Sequence, residues 1–126
     1  MAESTVESAG KTVEAFYAAV KRRDIAAARQ FLDPKLTFYG LFETYPNADS
    51  YLAALTGLLS ITTRLDVKTI IAQGEEAAIF FDLDTMAPAA ATTFVAEWHR
   101  VRDGLIFQVR SAFDGRPFEA MFTANK

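Results

Sequence analysis

The chain of 126 residues contains no cysteine. Disulfides, thiol nucleophiles and Cys-ligated zinc are therefore excluded, and the composition fits a reducing compartment. Histidine occurs once. One imidazole and scattered acids do not make a dense ligand cluster, so neither a metal nor a cofactor is expected. No run approaches the ~18 apolar residues of a membrane span. The opening MAESTVESAGKTVEAF has no apolar stretch behind a basic start, so no secretory leader is read and the expected location is the cytoplasm. Excess basic charge is missing too. Thirteen Lys and Arg against sixteen Asp and Glu give a net charge of -3, which argues against a nucleic-acid partner. P-loop, G-x-G-x-x-G and G-x-S-x-G patterns are all absent, leaving nucleotide binding and serine-hydrolase chemistry unsupported. What is present is ordinary for a soluble domain: 51% hydrophobic and 23% charged residues. One domain over residues 1–126 is expected, burying roughly two-thirds of its unfolded surface without a staple.

Ser4 and Glu7 have capping-box spacing. Behind them Val6, Ala9, Val13, Phe16, Tyr17 and Val20 form one helical face. Lys21, Arg22 and Arg23 then complement the dipole at the helix C-terminus. Asp24 is placed to cap a second helix with Ile25, Ala28, Phe31 and Leu32, ended by Asp33-Pro34. LTFYGLF, residues 36–42, reads as a strand, with Gly40 marking a bulge or a close approach to the backbone. Asn47 can cap a third helix bearing Tyr51, Leu55, Leu58, Leu59 and Thr62. Strands follow: Leu65, Val67, Thr69 and Ile71 in alternation, a turn at Gln73-Gly74-Glu75, then Ala77–Thr85. Val, Phe, Trp and Ile fill residues 92–102 and 105–113, and Asp103-Gly104 between them is a strong hairpin signal. Phe118, Met121 and Phe122 should pack the tail onto the body. Helices first and antiparallel strands later define an α+β fold with helices on one face of a curved sheet.

Alternation assigns faces within each strand. Ala78, Phe80, Asp82 and Asp84 share one face, and Ile79, Phe81 and Leu83 the other. Val95, Glu97, His99 and Val101 oppose Phe94, Ala96, Trp98 and Arg100. Two hairpin registers are open. A two-residue type I′ turn at Asp103-Gly104 puts Glu97 opposite Arg110, as an ion pair. A three-residue loop with a glycine bulge puts Glu97 opposite Val109 and His99 opposite Phe107, on a face shared with Ser111 and Phe113.

FYAAVKRRDIAAARQFL, the W-x-R-V-R-D-G-L-I of the hairpin and the closing VRSAFDGRPFE together resemble the SnoaL-like proteins of the nuclear-transport-factor-2-like superfamily. The resemblance runs from about Val6 to Phe122. It implies a cone: three N-terminal helices in the concave face of a curved, mostly antiparallel sheet, with a pocket between them and frequent dimerisation. Isomerases, hydrolases, cyclases and non-catalytic binders all use this fold. A ketosteroid isomerase-like site would put its base at Gly40 or Tyr39 and its tyrosine at Phe16, next to Tyr17; only the third position keeps an acid, Glu97. A limonene epoxide hydrolase-like site would fall on Phe80, Asp82 and Ser111, keeping one residue of three. Neither activity transfers.

Local turn chemistry slightly favours the first register and the resemblance favours the second; the second is adopted here. Asp82, Glu97 and His99 are then the candidate catalytic groups: two carboxylates for acid–base work and an imidazole to assist. Phe16, Tyr17, Phe38, Phe80, Val95, Val109, Ser111 and Phe113 are the expected ligand-binding residues. The expected ligand is a small apolar molecule, handled by cofactor-free acid–base chemistry in the first reading; the alternative is a non-catalytic ligand-binding or dimerisation module. Ile79, Phe81, Leu83, Phe94 and Trp98 would leave an apolar patch on the outer sheet face, so a homodimer through that face is expected.

Overall fold

Ala9, Val13, Phe16, Tyr17 and Val20 are all buried along one face of helix α1 (Ala2–Lys21), as intervals of three and four require. The structure, a computed structural model, describes residues 2–119, with side chains for residues 8–119. Helix α1 reaches back past Ser4, so Ser4 is not its first cap; the side chains of Ser4 and Glu7 lie outside the described residues. Arg23, expected to be a solvated end, instead donates from Nη1 to the Leu59 carbonyl (2.6 Å) and from Nη2 to the Thr62 carbonyl (2.8 Å). It serves the C-terminus of a different helix.

Asp24 caps α2 (Ile25–Arg29), its side chain accepting from the Ala27 amide. The helix stops earlier than Asp33-Pro34. Leu32 already opens strand β1 (Leu32–Tyr39), which runs parallel to the last strand. Its register breaks between Leu32 and Thr37, across Pro34, which has no N–H to offer a ladder. Gly40 then starts a tight reversal, its amide bonded to the Glu43 carbonyl at 2.9 Å. A Cβ there would meet Phe38 Cε1 at 2.7 Å, so the close approach expected of Gly40 is real. The reversal leads into β2 (Thr44–Tyr45), a two-residue strand that sequence reasoning missed. Asn47 caps α3 (Ala48–Leu59) by accepting from the Ser50 amide at 2.8 Å.

The remaining strands are β3 (Thr62–Gln73), β4 (Glu76–Thr85), β5 (Ala91–Arg102) and β6 (Leu105–Phe113). The sheet order is β2-β1-β6-β5-β4-β3. It is a curved, unclosed mixed sheet with the three helices on its concave side, an α+β cone. Two register shifts decide which side chains enter that cone. One lies in β3 between Val67 and Thr69; past it, Ile70 and Ala72 turn inward and Ile71, expected to continue the Leu65–Val67 stripe, faces out.

The second shift lies in the central hairpin. Asp103 and Gly104 both have positive φ, 54° and 75°, and Arg102 pairs with Leu105. That is the two-residue turn. Val101 then pairs with Ile106 but Arg100 with Gln108, so Phe107 is an extra residue in β6. This bulge puts Glu97 opposite Ser111 and His99 opposite Val109. Neither anticipated register is observed, although the face is the one the second predicted. Phe107 carries the guanidinium groups of Arg100 and Arg102 at 5.3 and 4.3 Å from its ring centre, a cation–π stack that favours turning the ring out of the cone. Arg110 lies over Tyr39 on the outer face and makes no pair with Glu97.

Candidate functional site

Between α3 and the concave sheet lies a cavity of about 340 Å³. One wall is α3, through Tyr51, Leu55 and Leu58. The floor is the inner face of the sheet: Phe81 and Leu83 from β4, Thr93, Val95 and Glu97 from β5, Ser111 and Phe113 from β6. Tyr17 enters from α1 and Phe38 from β1, and the reversal at residues 40–43 with Phe118 borders the mouth. The aromatic wall is ordered: Phe38 stacks on Tyr51 with ring centres 4.7 Å apart, and Phe118 meets Phe113 edge-on at 5.9 Å. Phe118 is held in a one-turn helix (Arg116–Phe118) and is buried. Met121 and Phe122, the rest of the expected tail contact, lie outside the described residues.

Of the expected site residues, Tyr17, Phe38, Val95, Glu97, Ser111 and Phe113 line this cavity. Phe16, Val109 and His99 are wholly buried behind it, among the core residues. Asp82 and Phe80 are not brought in. On β4 the buried residues are Ala77, Ile79, Phe81, Leu83 and Thr85, and Ile79 pairs with Glu97 across β4 and β5. The face carrying Glu97 therefore continues into Ile79 and Phe81. Asp82 points to the outer surface, 3.6 Å from the Lys68 ammonium, and Phe80 stacks there on Phe94. The expectation had joined the right residues within each strand and the wrong faces between strands. For the same reason Ile79, Phe81 and Leu83 belong to the interior and not to an outer patch. Exposed apolar residues on the outer side are Phe94 (57%), Trp98 (44%) and Ile71 (62%).

Glu97 is the one carboxylate on the cavity floor, and it is only 8% exposed. Burial pushes its carboxyl up from 4.5 to about 7, against a smaller downward pull from the Ser111 hydroxyl. The Tyr17 hydroxyl donates to Glu97 Oε1. His99 Nε2 is 3.8 Å from the same oxygen, and the imidazole is fully buried. Burial pushes it down from 6.5 to about 4, while backbone groups of Glu97 and Ala77 pull weakly upward. Near neutral pH the floor thus holds a carboxyl close to half-protonation beside an uncharged imidazole. Tyr51 is buried and its phenol is pushed up as well. Partial burial, and after it the bond to Glu43 at the mouth, push the Tyr45 phenol up to about 12. Among the described residues, the lining includes no Lys, Arg or His.

Sequence reasoning missed the contributions of Phe81, Leu83 and Thr93, again through the β4–β5 pairing. It also assigned no α3 residue to the pocket. Its signal was legible: Tyr51, Leu52, Leu55, Leu58 and Leu59 make an apolar face wider than one packed stripe needs. Tyr17 is expected only as a ligand-binding residue, yet its hydroxyl is also a partner of Glu97. Among the described residues, no group of three or more His, Cys, Asp or Glu is gathered as a metal site, and no helix is long and apolar enough to cross a membrane.

Comparison with known proteins supplies the family. The SnoaL-like domain profile matches residues 13–109. No curated protein sequence matches the chain. Among solved structures, a protein from Kribbella flavida DSM 17836 is 26% identical, covering 92% of this chain and 94% of its own, with a TM-score of 0.81. An LEH-like epoxide hydrolase from M. tuberculosis is 20% identical over 94% of this chain and 92% of its own, with a TM-score of 0.75. A candidate ketosteroid isomerase, also from Kribbella flavida DSM 17836, is 16% identical over 86% of this chain and 79% of its own, at 0.74. The likeness to the last two is one of fold. With the profile covering most of the chain and the cone in place, this chain belongs to the SnoaL-like domain family.

Proposed function

We propose that this domain binds a small, largely apolar, uncharged molecule in the cavity, and that Glu97 exchanges a proton with it without a cofactor, in the isomerase, hydrolase or cyclase range of chemistry. The observation that carries this reading is a single buried carboxyl, poised at about 7, at the floor of an otherwise aromatic and aliphatic chamber. A group with that affinity for protons can give or take one at neutral pH. The described lining holds Glu97 and Glu43 and, among the described residues, no cation, which disfavours anionic ligands. The aromatic wall of Phe38, Tyr51 and Phe113 favours a flat or alicyclic body. Tyr17 and Ser111 give such a ligand's oxygen a place to bind next to the proton.

A second reading, a non-catalytic binder, is favoured by one specific observation. The expected acid–base partner, Asp82, is on the far side of the sheet, so the floor offers one carboxyl where paired chemistry uses two. Glu97→Gln separates the two readings. A screen of neutral cyclic ketones, epoxides and lactones against the wild type should yield ligands by thermal shift. Turnover that falls at least a hundredfold in the variant, with binding kept, supports the enzyme. Binding without turnover in both proteins supports the binder. The domain is further proposed to form a homodimer through the outer sheet face, where Phe94 and Trp98 are exposed beside Phe80. Light scattering on dilute protein tests this; a monomer mass would overturn it.

A further inference from the structure

His99 is the only histidine in the chain, and the function proposed above leaves it unused. It is fully buried, and neither Nδ1 nor Nε2 makes a well-formed hydrogen bond, although the backbone of Glu97 and of Ala77 lies close enough to favour its proton. A neutral imidazole always carries one N–H, so a donor has been taken out of water and is only weakly paired. Such groups are rare in native proteins and ask for an explanation. Its Nε2 is 3.8 Å from Glu97 Oε1, about 0.6 Å beyond the upper end of hydrogen-bond reach. That oxygen is already taken by the Tyr17 hydroxyl, and the Tyr17 ring stands edge-on to the imidazole at 5.7 Å. Tyr17 and His99 therefore flank one carboxyl, and only one of them is bonded to it.

We propose that His99 is the positioning residue that takes over Glu97 when a ligand takes Tyr17, so that binding of an oxygen-bearing molecule exchanges the Tyr17–Glu97 hydrogen bond for a His99–Glu97 one. The inference rests on the ligand-binding reading of the cavity. Its chemistry is simple. A phenol has one hydrogen to donate, so Tyr17 can serve a ligand oxygen only by releasing Oε1. The groups facing the carboxyl are Tyr17 from α1, His99 on its own strand, Ser111 from β6 and the apolar Ile79 from β4. Glu43 is the other carboxylate on the cavity, at its mouth. Once Tyr17 turns away, only Ser111 and the His99 N–H remain near enough to hold a carboxylate. Without His99 the buried charge would be under-solvated and Glu97 would take up a proton. With it, Tyr17 becomes a donor to the ligand while Glu97 stays ionised and able to act as a base.

Two experiments test the exchange. The first needs no ligand: Tyr17→Phe removes the competing donor permanently, and nitrogen NMR of the single labelled histidine reads the result. The expected change is a downfield shift of the Nε2–H signal relative to the wild type, lost again in the Tyr17→Phe, Glu97→Leu double variant. An imidazole spectrum unchanged by Tyr17→Phe overturns the proposal. The second uses benzophenone, a neutral ketone that only accepts hydrogen bonds, titrated by calorimetry at pH 8 in two buffers of different ionisation heat. Wild type should bind it with no net proton uptake, and His99→Phe with about one proton taken up per ketone, as a buried carboxylate robbed of its donor requires. Equal uptake in both proteins would mean that protonated Glu97 itself serves the ketone, and the exchange is wrong. Failure of benzophenone to bind the wild type counts against the ligand reading alone, and the imidazole spectrum still decides the role of His99.

Discussion

Glu97 and His99 should make opposite and nearly cancelling contributions to the pH dependence of stability, and Glu97→Gln should expose the half that remains. The carboxyl of Glu97 is raised by burial from 4.5 to about 7. Its contribution is fully present below about pH 4.5 and is lost as pH rises through 7. His99 is lowered from 6.5 to about 4. Its contribution is present above about pH 6.5 and is lost as pH falls through 4. Each separation corresponds to about 3 kcal/mol, at about 1.4 kcal/mol per pH unit. Between pH 4.5 and 6.5 the unfolded chain carries one proton on the histidine and the folded chain carries one on the glutamate. The proton count is then the same in both states, so this pair leaves the wild-type stability flat. In Glu97→Gln only the imidazole still titrates, and stability should fall by about 3 kcal/mol as pH drops from 6.5 to 4. In His99→Phe the slope should reverse, stability rising toward acid by a similar amount. Urea unfolding followed by circular dichroism at half-unit pH steps measures this as the difference between variant and wild type, which removes the background of other carboxylates. A Glu97→Gln profile parallel to the wild type over that range would refute the burial-driven shifts and the division of one proton between the two groups.

Asp82→Asn should leave ligand binding and any turnover unchanged and cost no more than about 1 kcal/mol, because its partner Lys68 is a surface contact at 3.6 Å; a loss of binding in a calorimetric titration would contradict its outward position. Asn47→Ala removes the acceptor for the Ser50 amide and should lower stability by about 1 kcal/mol in urea unfolding. Leu58→Trp, on the α3 wall of the cavity, should abolish binding of any ligand found by thermal shift while the far-UV spectrum stays that of the wild type, since the added ring has an empty chamber to fill.

Much of this molecule was legible in its residues one element at a time. The stripe from Ala9 to Val20 specified α1, Asp24 and Asn47 specified the starts of α2 and α3, and Asp103-Gly104 marked where the central hairpin turns, though not the length of its loop. These signals are local: a helix face, a cap or a turn is set by neighbours a few positions away. Alternation likewise determined which residues of β4 and of β5 go together, so that Glu97 and His99 were bound to share a face. What the sequence by itself could not state is which face of one strand meets which face of the next. A shift of a single residue inverts the answer, and here it is decided by the pairing of Ile79 with Glu97, by the bulge at Phe107 and by the shift after Val67. Those registers depend on contacts between distant strands, on arginines stacking over an extra phenylalanine, and on helices filling the concave side. Only the assembled sheet therefore placed Glu97 on the cavity floor with Tyr17 and His99 beside it, and turned Asp82 to the outer surface.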